Sequence, residues 1–124
     1  MTEAPGCAEV MSQLRESLGR LQGHQRGTGE ALYAGDYREG GRRLKVLFTA
    51  WNDFLQAVAG VLPALPEASA KKVQQTMAGT LDFLKDVQFS LQRRDWVETA
   101  DLLSLDVRKI FSEWETALRE AAEG

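Results

Sequence analysis

Few residues in this chain have the type and spacing for chemistry. His24 is the only histidine and Cys7 the only cysteine. A His/Cys zinc site needs four such ligands, and a di-iron bundle needs two Glu-x-x-His pairs, so neither can be assembled here. Cys7 has no basic or histidine neighbour in sequence to lower its pKa, which argues against a nucleophile. The glycines do not form a phosphate loop of the strand–loop–helix kind. His24 reads more readily as a surface histidine than as a base. No catalytic residue, cofactor or metal is expected.

Two acids near the C-terminus are more informative. Asp106 stands as far beyond Leu47 as Asp95 stands beyond Asp36, an offset of 59. That offset places it at the edge of an apolar stripe. A carboxylate there must find a donor or shift its pKa. Arg42, Arg43, Lys45, Arg108 and Lys109 are available. Asp101 falls on a different side of the same helix. A ligand-binding or enzymatic reading needs a pocket lined by His24 or by Asp101 and Asp106.

Binding of a protein partner has other candidates. Gly19, Gly23 and Gly27 recur every four residues along one side of a helix, and small residues let a second backbone approach. Gln25 and Thr28 interrupt the apolar stripe of that helix and mark an opening. Arg42, Arg93 and Arg94 gather with Arg38 at one end of the chain's hairpins, where they could bind an anionic segment.

These residues must be held by helices. Met11, Leu14, Leu18, Leu21, Gln25, Thr28 and Leu32 step by three and four, the helical spacing. The interior glycines 19, 23, 27 and 29 each cost about 1 kcal/mol against Ala, so the predicted helix 7–34 carries a kink or break near 23–29. Leu44, Leu47, Phe48, Trp51, Phe54, Leu55, Val58 and Val61 give a second helix, 36–62. It ends where Pro63 and Pro66 bracket a connector. Ala70, Val73, Met77, Thr80, Leu84, Val87 and Leu91 give a third, 66–93, with Leu81, Phe83 and Phe89 widening its apolar face. Trp96, Leu103, Val107, Ile110, Trp114, Leu118 and Ala121 give a fourth, 95–122. The aromatics at helical spacing read as core.

The third stripe repeats the first at the same offset of 59, and so do the turns. Leu32 to Glu39 and Leu91 to Glu98 both read Leu, three residues, Asp, aromatic, one residue, Glu. Gly35 suits the left-handed position past a helix end. Asp36 and Asp95 are N-caps, with Glu39 and Glu98 at capping-box spacing. The expectation is a single all-α domain over residues 1–124: an antiparallel up-down-up-down four-helix bundle of two similar hairpins. Residues 1–6 are expected to fray.

The chain has 124 residues, is 44% hydrophobic and 27% charged, and has a net charge of −3. From Met1 to Leu62 acids and bases are equal in number, and the excess of acids lies beyond, so there is no basic half to attract nucleic acid. No apolar run approaches the roughly 20 residues that span a bilayer. Met1 to Gly6 lack a basic stretch followed by an apolar one, so no signal peptide is expected. One cysteine fits a reducing cytoplasm.

Ala31 to Glu39, followed by a long amphipathic helix, resembles the central hairpin of the flagellin-export chaperones. The closing stretch Leu91 to Trp114 is similar to theirs as well. Those are small cytoplasmic bacterial helical bundles, and the resemblance implies a groove that holds a disordered segment of an export client. Their N-terminal segment carries a tyrosine, which residues 1–10 here lack. Thr99 to Leu103 also resembles a run in small uncharacterised bacterial bundle proteins. The functional expectation is a non-enzymatic module for a protein partner or self-association, docking a helix or an extended segment beside the first helix. The alternatives are a ligand-binding or enzymatic bundle and a structural homodimer.

Overall fold

The structure is a computed structural model and describes residues 7–123. The expected fraying of residues 1–6 and the side chain of Cys7 lie outside the described residues. Four helical arms form an all-α bundle: α1 (Cys7–Tyr33), α2 (Tyr37–Val61), α3 (Glu67–Gln92) and a last arm made of α4 (Trp96–Asp101), a π turn (Leu102–Asp106) and α5 (Val107–Glu123). The α2–α3 connector holds a short 3₁₀ turn, Leu62–Ala64, and plugs the core with Leu65.

The α1 helix runs unbroken through its glycines, so the expected kink or break near 23–29 does not interrupt it. Its whole stripe is buried, Met11 through Leu32, including Gln25 and Thr28. Packing on both sides of the glycine-rich stretch outweighs their low propensity.

Both Asp turns close in the same way. Gly35 N–H donates to the Leu32 carbonyl and Asp36 N–H to that of Ala31. Arg94 N–H and Asp95 N–H repeat this on Leu91 and Ser90. These are Schellman closures. Asp36 and Asp95 then accept the backbone N–H of Glu39 and Glu98. The reciprocal half of the capping box is absent, because each Asp N–H is already used by the closure. Glu39 instead pairs with Arg42 and Arg43, and Glu98 with Arg93. Tyr37 and Trp96, the residues after each Asp, stack at 5.0 Å, so the two turns lie side by side.

The third stripe is rotated from its expected position. Val73, Thr76, Thr80, Phe83, Val87 and Ser90 are buried, whereas Ala70, Met77, Leu84 and Leu91 are half-buried and Leu81 and Phe89 exposed. Thr76, Thr80 and Ser90 enter the core because their hydroxyls donate to the Lys72, Thr76 and Val87 carbonyls.

The left-handed position past the helix end is Gly35 (φ 79°) in one turn and Arg94 (φ 56°) in the other. A side chain in that conformation costs about 1–2 kcal/mol, which glycine avoids. Arg94→Gly is therefore expected to stabilise the protein by about 0.5–1 kcal/mol, after the entropy that glycine adds to the unfolded chain. Gly35→Ala is expected to destabilise it by about 1 kcal/mol. Urea denaturation of the two variants checks both signs.

Candidate functional site

The offset between the halves changes inside the π turn. Leu103 stands 59 beyond Leu44, but Val107, Phe111, Trp114 and Leu118 stand 60 beyond Leu47, Trp51, Phe54 and Val58. All of these are buried. The π turn thus holds one residue more than its counterpart in α2. This displaces Asp106 from the place the constant offset gave it: Asp106 is exposed, and Val107 takes the core position. The matched aromatics meet across the bundle. Trp51 stacks on Phe111 at 5.4 Å, and Phe54 meets Trp114 edge-on at 5.0 Å.

Gln25 secures the π turn. Its Nε2 donates to the Leu103 carbonyl at 3.1 Å, and its Oε1 accepts the Trp51 indole N–H at 3.3 Å. The indole N–H can only donate and the carbonyl only accept, so the amide has one workable orientation. The Gly29 position lets α1 pass close to the turn: a Cβ there would collide with Ser104 Oγ.

Beside this point α1 and α5 part to leave a cleft of about 540 Å³. Leu103, Val107 and Phe111 contribute apolar surface to it, and Gln22, Gln25, Arg26, Ser104, Arg108 and Ser112 contribute polar groups. Glu30 and Glu115 add acids, and Tyr33 lies on the wall. Gln22 donates to Glu115 across the seam at 3.1 Å. Beyond that bridge a second depression continues between Gly19 and Arg119. From Ser12 to Tyr33 the seam runs roughly 30 Å at the helical rise.

The expected partner-binding residues are only partly brought together. Gly19 and Gln25 line this seam, Gln25 from a buried position. Thr28 is buried and donates to the His24 carbonyl. Neither Gln25 nor Thr28 is a gap: the amide and the hydroxyl are both used internally. Gly23 is exposed with open space around it, and Gly27 lies against the Arg43 side chain. Arg42 is exposed at the turn end and paired with Glu39; Arg93 pairs with Glu98 and lies over the Phe89 ring at 4.6 Å. Arg94 is exposed. His24 lines a separate crevice between α1 and α2. No group of three His, Cys, Asp or Glu residues among the described residues could hold a metal.

The cleft residues Ser104, Arg108 and Ser112 carry no motif. The signal that could have found them is the change of offset: Tyr37 matches Trp96 at 59, while Trp51 and Phe54 match aromatics only at 60.

Asp101, the last residue of α4, accepts a 2.6 Å hydrogen bond from the Tyr33 hydroxyl. That hydrogen bond, with desolvation and the carboxylate's charge, raises the Tyr33 pKa above its ordinary 10.0, against a smaller opposing contribution from Ser104. Folding therefore favours the neutral phenol. The contribution is present below the unfolded pKa and is lost as pH climbs through the raised one. In a Tyr37→Phe background the tyrosinate absorbance of Tyr33 is expected to appear at higher pH than in the unfolded chain, and Asp101→Asn should bring it back down.

Gln25→Leu keeps the volume but leaves the Trp51 indole N–H unpaired and takes the side-chain donor from the Leu103 carbonyl. Each buried unpaired group costs about 1–3 kcal/mol, so a loss of about 2–4 kcal/mol is expected by urea denaturation. Retained wild-type stability would contradict the role given to this amide.

Residues 9–117 match the family described as a domain of unknown function, DUF8042. No curated protein and no solved structure matches the chain. The family match begins in the first turns of α1 and ends late in α5, taking in both hairpins, the π turn and the cleft, and the chain belongs to the DUF8042 family.

Proposed function

We propose that the protein is a non-enzymatic interaction module that holds an extended segment of a partner protein in the cleft between α1 and α5. The observation that carries this is the mixed lining of that cleft. An extended chain brings unpaired N–H and C=O groups along its whole length, and these need partners wherever they leave water. Gln22, Arg26, Ser104, Arg108 and Ser112 offer side-chain donors and acceptors above the apolar surface of Leu103, Val107 and Phe111. A helix satisfies its own backbone and gains little from such a lining.

The resemblance of Ala31–Glu39 and Leu91–Trp114 to the flagellin-export chaperones points the same way, since those bundles hold a disordered segment of a client. Arg26 and Arg108 stand with Glu30 and Glu115 on the walls, so a segment of mixed charge suits the cleft better than one of a single sign. A cytoplasmic setting accords with this reading. Among the described residues no helix is long and apolar enough to cross a membrane.

A second reading rests on size. A volume of about 540 Å³ lies within the roughly 300–1,000 Å³ of small-molecule sites. The open form of the seam beyond Gln22 and Glu115 favours a chain over a compact ligand.

Selection of a random peptide library on the protein tests the proposal. Enriched peptides are expected to bind with micromolar affinity. Ser112→Trp, which fills the cleft from an exposed position, should weaken them at least tenfold, and Arg108→Ala several-fold. Peptides insensitive to both substitutions would refute the cleft as their site.

A further inference from the structure

The two hairpins share a plan, so the α1/α5 seam has a counterpart between α2 and α3. The two differ in character. Gln22 and Gln25 on α1 have Leu81 and Leu84 as their counterparts on α3, at the offset of 59. Arg108 and Glu115 on α5 have Phe48 and Leu55 as theirs on α2, at the offset of 60. At each of these four places one seam is polar and the other apolar.

The packing of the helices leaves that apolar seam uncovered. The α1 helix packs closely along α2 and α5, and α3 along α5, whereas the α2 and α3 backbones approach each other less closely. The α1 flank of α2 is marked by Arg43 against Gly27 and by Ala50 and Ala57 in the crevice with α1. The α5 flank of α3 is marked by Lys72, bonded to Glu120, and by Gln75 and Thr76 facing Ser112 and Thr116. Phe48 and Leu55 on α2, and Met77, Leu84 and Leu91 on α3, occupy the remaining flanks. All five are packed on the core yet only half-buried. Leu81 stands beyond them, 49% exposed.

The rim of this seam is mostly basic. Further around each helix toward solvent, α2 presents Arg38, Lys45 and Asn52, and α3 presents Gln74, Lys85 and Gln88. All six are exposed. None of these six is an acid, although the chain as a whole carries a net charge of −3; Glu67, the first residue of α3, lies about five turns before Lys85 on the same side and is the acid of this rim. We infer that the α2/α3 face, apolar along Phe48, Leu55, Met77 and Leu84 and edged by Arg38, Lys45 and Lys85, is a docking surface for an amphipathic partner helix whose apolar stripe is flanked by acids.

Three features select this occupant. From Arg38 to Leu62 the face runs roughly 36 Å, enough for a helix of about five turns to lie over its apolar residues with one end at the bases, and two antiparallel helices receive a third through contacts at i, i+3, i+4 and i+7. A second copy of the chain would bring a rim of the same three bases with Glu67 as its acid, too few acids to match Arg38, Lys45 and Lys85. An anionic membrane surface is usually gripped by clusters of four to eight bases, more than this rim offers.

The probes are two synthetic helical peptides, each about five turns long, with the same leucine stripe, one flanked by Glu and one by Lys. The full-length protein is titrated with each and followed by amide chemical shifts. The Glu-flanked peptide is expected to bind at least ten times more tightly, with shifts confined to α2 and α3. Leu81→Glu should weaken it about tenfold. Lys45→Glu with Lys85→Glu should reverse the preference between the peptides. Both sets of substitutions fall on exposed positions, and thermal melting confirms that the variants are folded. Ser112→Trp should leave this binding unchanged, which separates it from the cleft between α1 and α5. Equal affinity for both peptides would overturn the inference. So would shifts centred on α1 and α5, a dimer abolished by Leu81→Glu, or tighter binding to phosphatidylglycerol vesicles than to the Glu-flanked peptide.

Discussion

A single buried amide ties three arms of this bundle together. Gln25 sits in the core stripe of α1, 2% exposed, with the Trp51 indole of α2 on one side and the Leu103 carbonyl of the π turn on the other. A π turn takes backbone groups out of the regular helical ladder, and a carbonyl facing the core without a donor would be costly. Gln25 supplies the donor. Its own acceptor is satisfied by the Trp51 indole N–H, so neither end of the amide is left unpaired. No buried side-chain polar atom among the described residues lacks a partner. The extra residue of the last arm is thereby tolerated, and with it the position of every core residue after Leu103.

The aromatic contacts depend on that register. Trp51 on Phe111, Phe54 on Trp114 and Tyr37 on Trp96 are each a residue meeting its own counterpart from the other hairpin. Such pairs lie along an approximate twofold axis between the halves. An uninterrupted α-helix after Leu103 would turn Phe111 and Trp114 by about 100°, the rotation of one residue, and would put Asp106 in place of Val107. The indole N–H of Trp114 donates to Thr80 at 2.8 Å, so both core tryptophans have partners from the arm preceding their own. The polar residues that interrupt the apolar stripes are what allow two tryptophans to be fully buried.

Most of the architecture was legible in the sequence because it is periodic. The four arms, the Asp caps and the side-by-side turns follow from spacing and capping chemistry alone. What was not legible depends on partners distant in sequence. Gln25 and Thr28 read as gaps in a stripe because their type is polar; they are core because Trp51, Leu103 and the His24 carbonyl receive them. The same bias rotates the third stripe. Residue type gives Leu84, Leu91 and Met77 the core, while Thr76, Thr80 and Ser90 hide their hydroxyls on their own helix and enter it instead. The π turn is masked because the offset of 59 holds through Leu103, and Asp106 still lands on Leu47 if the shift is overlooked. In the glycine row Gly27 comes close to the Arg43 side chain, while Gly19 and Gly23 meet open space.

Repetition explains the fold, and departures from it locate the surfaces available for function. Corresponding residues of the two hairpins build one core, where Leu21 answers to Thr80 and Thr28 to Val87, all buried, with the hydroxyls bonded to their own helices. On the two outer seams the halves diverge further. One has a polar lining, an added residue and a cleft. The other has Phe48, Leu55, Met77 and Leu84 half-exposed under a mostly basic rim. Burying hydrophobic side chains stabilises a bundle by about 25 cal/mol for each Å² taken from water. Half-exposed leucines forgo part of that gain, and the polar seam shows that the same plan accommodates hydrophilic residues at those positions. An apolar seam beside a polar one is thus a property of the side chains chosen, not a requirement of packing four helices.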